Sequence, residues 1–159
     1  MIDLKPVVGF PIAFLTFFST SALGGTITVT PTDALRNSKG TLRCALWTAD
    51  MGFPVKPDNA SVITTAPVNG DTATCTFKDV SAGKYAISIL HDENNNKNMD
   101  LASYGPPLEG YGVSNNADPL PTALPTFKGA LFDYDGSDIS LKITMQYLIA
   151  EGQSGPPGQ

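Results

Sequence analysis

The sequence predicts an all-β fold, an antiparallel β-sandwich of about seven short strands. Three observations carry that expectation. Polar and apolar residues alternate at period two in segment after segment, as they do in half-buried strands. Turn chemistry separates the segments at spacings of about 8–12 residues, drawing on 15 glycines and 13 prolines. No stretch carries the apolar stripe of an amphipathic helix.

The first strand is Thr26–Thr30, where Ile27 and Val29 alternate with threonines until Pro31 stops it. A turn at Arg36–Gly40 leads into Thr41–Thr48, which carries Cys44 and the single tryptophan, Trp47. Gly52-Phe53-Pro54 and Lys56-Pro57-Asp58-Asn59 read as loop. Ala60–Ala66 is the third strand, and Asn69-Gly70-Asp71 is a strong hairpin signal before Thr72–Phe77. The firmest early strand is Lys84–Leu90, with Tyr85, Ile87 and Ile89 on one face. Residues 91 to about 125 hold no convincing strand or helix, and an insertion of that length is usually functional or pinned by packing. Regular structure is expected to resume over Phe127–Tyr134, with a turn at Asp135-Gly136-Ser137. The last strand alternates Ile139, Leu141, Ile143, Met145 and Tyr147 with polar residues.

At 159 residues, 42% hydrophobic and 16% charged, the chain suits one globular domain. A net charge of −5 leaves no basic patch, which argues against nucleic acid as a partner. Residues 1–22 read as a signal peptide: Val7 to Phe18 are largely apolar, and Thr20-Ser21-Ala22 offers small residues for cleavage. The competing reading is an uncleaved anchor or a buried first strand, but the run is shorter than the roughly 20 residues of a spanning helix. The expected organisation is therefore a signal peptide at 1–22, a sandwich domain over 23–150 and a disordered Gly/Pro/Gln-rich tail at 151–159. Export to the periplasm or the extracellular space follows, with no membrane span once the signal is removed.

Cys44 and Cys75 are the two cysteines, each in register with inward-facing apolar neighbours. In an exported chain they are expected to form one disulfide, closing a loop of about 30 residues. No Cys-x-x-Cys motif points to redox catalysis.

The stretch His91-Asp92-Glu93-Asn94-Asn95-Asn96-Lys97-Asn98-Met99-Asp100 concentrates the candidate chemistry. Side-chain oxygens at Asp92, Asn94, Asn96 and Asp100 have the spacing by which a short loop wraps a hard cation, with Asn98 and Glu109 as further ligands. Weakly bound calcium is the one cofactor this spacing suggests. The bland alternative is a turn whose Asp and Asn side chains cap backbone groups without any ion. A Ser-His-Asp arrangement of Ser114, His91 and Asp92 is disfavoured, because adjacent strand residues point to opposite faces and no Gly-x-Ser-x-Gly elbow is present. One histidine and two bonded cysteines do not make a zinc site. His91, Tyr104, Tyr111, Ser114 and Asn115 form a candidate ligand surface; with Trp47, Asn116 and Glu109 they are residue types that hold a saccharide or a peptide.

Residues 83–116 resemble a bacterial exported family, the domain of unknown function number 2141. The likeness rests on Gly83-x-Tyr85-Ala86, on His91-Asp92-x-Asn94-x-Asn96 with Asp100, and on Gly105-x-Pro107-x-Glu109-Gly110-Tyr111-Gly112-x-Ser114-Asn115. Phe127, Ala130 and Tyr147 extend it over most of 25–148. The resemblance implies an exported transthyretin-like or prealbumin-like sandwich of uncharacterised function, and it brings no established enzyme activity with it. The family commonly shows glycine where this chain has Asn95 and Lys97. At the sixth position of a calcium loop, where a sharp turn needs φ > 0, lysine fits poorly and brings positive charge toward the ion, so the departure weighs against calcium. The sequence thus points to a non-catalytic module that binds a protein, a small ligand or a saccharide through the 91–125 loop. A hydrolase built on His91 and nearby carboxylates, and a purely structural envelope domain, are the rivals.

Overall fold

A computed structural model describes residues 24–103, 105–117 and 124–152. The expected signal peptide at 1–22, Tyr104 and the tail from residue 153 onward lie outside the described residues. In chain order the described strands are β1 (Gly25–Pro31), β2 (Thr41–Trp47), β3 (Val62–Pro67), β4 (Cys75–Val80), β5 (Gly83–Asp92), β6 (Gly110–Val113), β7 (Phe132–Tyr134) and β8 (Ile139–Ile143). They form two open sheets packed as a sandwich. The smaller has the order β4-β1-β8; the larger runs β3-β2-β5-β6, with β7 also paired to β5.

The inward positions of the two sheets meet as the alternation requires. Ile27, Val29, Cys75, Phe77 and Ile143 of the small sheet pack against Leu42, Cys44, Leu46, Ile87 and Ile89 of the large one, all buried. The Cys44–Cys75 disulfide joins β2 to β4 and so staples one sheet to the other, with Cα atoms 6.3 Å apart. Asn69 and Thr72 pair across Gly70-Asp71 as the hairpin signal requires. The strands on either side of that turn belong to different sheets, so the turn carries the chain across the sandwich.

The structure departs from the sequence expectation in four places. Every strand pairing is antiparallel except β1 with β8, which is parallel. The long loop contains a four-residue strand, β6, whose two glycines and short length hide it from any periodicity. Phe127–Ala130 is one helical turn, capped by Thr126 Oγ1 accepting from Gly129 N–H at 3.1 Å, and only Phe132–Tyr134 is strand. The last strand stops at Ile143, because Asn116 Oδ1 takes the Thr144 N–H at 2.8 Å. Gln146 then exchanges backbone bonds with Tyr111 of the other sheet, at 2.7 and 3.1 Å, closing the open side of the sandwich.

Among the described residues no helix is long and apolar enough to cross a membrane. The disulfide closes a 31-residue separation between the sheets. Replacing both cysteines with alanine is expected to lower the unfolding free energy by about 3–4 kcal/mol, read as a drop in the urea midpoint. An unchanged midpoint would refute a stabilising bridge.

Candidate functional site

β5 ends in His91 and Asp92, both buried. His91 continues the inward alternation of Ile87 and Ile89. Its Nε2 stands 2.9 Å from the Lys39 carbonyl, which can only accept, so Nε2 carries the hydrogen. Nδ1 lies 2.8 Å from the Tyr147 hydroxyl, which donates to it while accepting the Arg36 N–H at 3.4 Å. Arg36 lies over the Tyr147 ring, 4.8 Å from its centroid. Its guanidinium donates to Ile149 O at 2.7 Å and Leu108 O at 2.6 Å, and pairs with Glu93. The other Glu93 oxygen accepts from Asn37 Nδ2 at 2.7 Å. Burial pushes the Tyr147 hydroxyl pKa up. Together these contacts tie the start of the loop to the 36–40 turn and to the C-terminal segment.

Within the loop, carboxylates hold backbone amides. Asp92 accepts from Asn96 N–H at 3.0 Å and Lys97 N–H at 2.8 Å. Glu109, also buried, accepts from Glu93 N–H at 2.9 Å and Asp100 N–H at 3.1 Å. Asp100 accepts the side-chain amides of Asn94 and Asn96 at 2.6 and 2.9 Å. Asn98 bonds to the side-chain and main-chain oxygens of Asn96 at 2.8 and 3.0 Å. Asn95 and Lys97 have φ of 59° and 69°, a conformation that costs a non-glycine residue about 1 kcal/mol. Capture of the Lys97 N–H by Asp92 offsets that cost. Among the described residues no three or more His, Cys, Asp or Glu side chains are grouped to hold a metal ion.

β6 explains the Gly-Tyr-Gly spacing. A Cβ on Gly110 would stand 2.2 Å from the Tyr147 ring, and one on Gly112 would stand 2.5 Å from the Thr144 carbonyl. Both must be glycine for residues 144–147 to lie across the strand. Ser114 is buried; its Oγ accepts Ile87 N–H at 2.9 Å and donates to Ala130 O at 2.5 Å. Asn115 Nδ2 bonds to Leu131 O at 2.9 Å and Gly129 O at 3.2 Å. The structure does not bring Ser114 to His91, since Ser114 bonds at Ile87, four residues back and about 13 Å along an extended strand. A polar cleft of about 320 Å³ lies over Arg36, Lys39, Glu93, Asp100 and Glu109, and His91 is not in its wall.

The outer face of the large sheet is different. One half is covered by a second core, in which Trp47, Ala86, Val113 and Ala130 pack with Phe53 and Phe127. Trp47 and Phe53 meet edge to face at 5.4 Å, and Phe53 and Phe127 at 5.7 Å. Trp47 is fully buried and donates to Ser88 Oγ at 2.9 Å, so its ring is not free to stack on a ligand. The other half is open and forms an apolar pocket of about 310 Å³. Strand register lays its floor in two rows, Arg43-Leu90-Tyr111 and Ile63-Ala45-Ser88-Val113. Met99, Leu101 and Pro107 of the loop form one wall, and Pro54, Val55 and Pro57 another, with Leu124 beside them. Leu101, Val55 and Leu124 are 61%, 56% and 54% exposed at its rim.

Of the sequence-derived candidates, Tyr111, whose hydroxyl pKa burial pushes up, and Asn98 line the pocket. His91, Ser114 and Asn115 lie in the hydrogen-bonded framework behind it. Sequence reasoning missed Arg36, Arg43, Ala45, Ser88, Leu90 and Met99. One signal was present: outward positions 86, 88 and 90 of β5 are Ala, Ser and Leu, where a solvated face would carry charge.

Burial dominates at Glu109 and raises its carboxyl pKa above 4.5, against the two amide bonds that lower it. A raised folded-state pKa contributes stability below the unfolded value, and that contribution is lost as pH rises through the folded value. The unfolding free energy of the wild type minus that of Glu109→Gln is expected to shrink from about pH 4 to about pH 7. A difference that grows with pH, measured by urea titration, would contradict this.

Comparison with curated proteins and with solved structures gave no match. Residues 31–142 match the model of a family described as an uncharacterized protein conserved in bacteria, DUF2141. That span runs from the end of β1 into β8 and takes in the disulfide, the 91–109 loop and the pocket floor. The chain belongs to the DUF2141 family.

Proposed function

We propose that the domain is an exported, non-catalytic binding module whose ligand or partner occupies the pocket on the outer face of the large sheet. The observation that carries this reading is an apolar concavity, floored by two rows of residues across β3, β2, β5 and β6 and rimmed by exposed Leu101, Val55 and Leu124. An inter-sheet disulfide suits an oxidising compartment, and export accords with the apolar run near the N-terminus. Hydrolysis at His91 is the weaker reading, since both ring nitrogens are engaged and the ring is buried. A purely structural domain gains nothing from apolar side chains left in water around a cavity.

The test is a titration with N-phenyl-1-naphthylamine, a neutral dye that fluoresces in apolar surroundings. Saturable enhancement is expected, lost in Ala45→Leu, which fills the floor, and weakened in Leu101→Asp at the exposed rim. No saturable enhancement, or the same enhancement in both folded variants, would overturn the pocket as the site.

Calcium is a second, subordinate part of the proposal. Asp92, Asn94, Asn96 and Asp100 share one hydrogen-bonded turn, which supports it, while the positive charge of Lys97 at the sixth loop position weighs against it. An ion would displace the Asn94 and Asn96 amides from Asp100. A melting temperature raised in calcium at about 10⁻³ M, with the rise lost in Asp100→Asn, is the expected outcome. Unchanged melting would remove calcium from the reading.

A further inference from the structure

We infer that the pocket selects a single-chain amphiphile with an anionic head, held by Arg43 and Lys97; this rests on the pocket being the binding site. The lining is apolar save for a few groups, and its cations are confined to one end. Arg43 occupies the floor row nearer the point where β5 runs into the 93–109 loop, and Lys97 belongs to that loop. The opposite end is lined by Ala45, Ile63, Val113, Pro54, Val55 and Pro57, all uncharged; Lys56 of that segment is exposed and outside the lining. A ligand that satisfies both ends has an apolar body and a negative head.

The charges of the chain sharpen the point. Among the described residues Lys56, Lys78, Lys128 and Lys142 are exposed and enter no ion pair, so it is partial burial that sets Arg43 apart from the other unpaired cations. Arg36 pairs with Glu93, Lys39 with Glu151 and Lys84 with Asp133. Among the described residues Arg43 enters no ion pair, although it is half-buried beside apolar surface. Lys97 enters none either; only its backbone N–H is held, by Asp92. A guanidinium in that setting is poised for a carboxylate, which it can grip through two parallel N–H bonds. The volume of about 310 Å³ stands at the small end of small-molecule sites, which suits one chain better than a two-chain phospholipid.

The experiment uses the intact protein and a series of twelve-carbon probes below their micelle concentrations: dodecanoate, 1-dodecanol and dodecylamine. Each is titrated calorimetrically and, in parallel, by displacement of N-phenyl-1-naphthylamine. Dodecanoate is expected to bind on the order of tenfold or more tighter than the other two. Decanoate is expected to bind more weakly, by roughly fourfold per methylene removed. Arg43→Gln is expected to lose the preference for dodecanoate over 1-dodecanol and Lys97→Gln to reduce it; a preference kept in Arg43→Gln overturns its role. Dye binding with no preference among the three heads overturns the anionic selectivity and leaves the pocket reading standing. Absence of binding by the dye and by every amphiphile overturns both.

Discussion

Two buried carboxylates hold the long loop by its own backbone. Asp92, at the end of β5, takes the N–H groups of Asn96 and Lys97, and Glu109, at the start of β6, takes those of Glu93 and Asp100. Each carboxyl group satisfies two backbone donors, and a buried polar group left without a partner is costly. The connection between two neighbouring strands, residues 93–109, is thereby held at Glu93, Asn96, Lys97, Asp100 and Glu109. The wall that Met99, Leu101 and Pro107 offer to the pocket depends on this clamp. So does the β5–β6 pairing, because Glu109 precedes the first residue of β6.

A second consequence lies on the other side of the loop. Arg36 reaches the Leu108 and Ile149 carbonyls, the Glu93 carboxylate and the Tyr147 ring, so one side chain joins three chain segments. Tyr147 completes the connection to His91 and requires glycine at 110 beneath it. The motif residues around the loop are thus engaged with one another. A histidine with both nitrogens bonded, a serine bridging two backbone segments and asparagines capping turns are parts of a framework. Their chemistry is spent inside the protein, and what the framework presents outward is shape and apolar surface.

How far this was legible in the sequence follows from the range of each interaction. Strands β1, β2 and β5 announce themselves through local alternation, and the disulfide through inward register of Cys44 and Cys75. Asparagine at 95 tolerates the left-handed conformation it adopts, whereas lysine at 97 reads as a poor fit for it and adopts it nonetheless, held by Asp92. β6 was not legible, since Gly110 and Gly112 are chosen by the approach of residues 144–147, more than thirty positions away. The parallel partnership of β1 and β8, and the break after Ile143, are likewise decided by distant partners. Arg36 sits in what reads as an ordinary turn; only the fold brings Glu93 and Tyr147 to it.

The pocket was hidden for a related reason. Its floor is made of outward positions on β2, β5 and β6, and an outward face reads as solvent unless something lies upon it. Here the face is divided: Trp47, Phe53 and Phe127 cover one half, while Arg43 and Leu90 stay partly exposed on the other. Continuing the second core over Leu90 would have buried more apolar surface, and would also have buried Arg43 without a partner. A guanidinium enclosed that way is destabilising by several kcal/mol, whereas an open pocket lets it stay hydrated. The same arginine that keeps the pocket from closing over supplies the charge that an anionic ligand would neutralise. Occupation by such a ligand would complete a core the protein leaves half built.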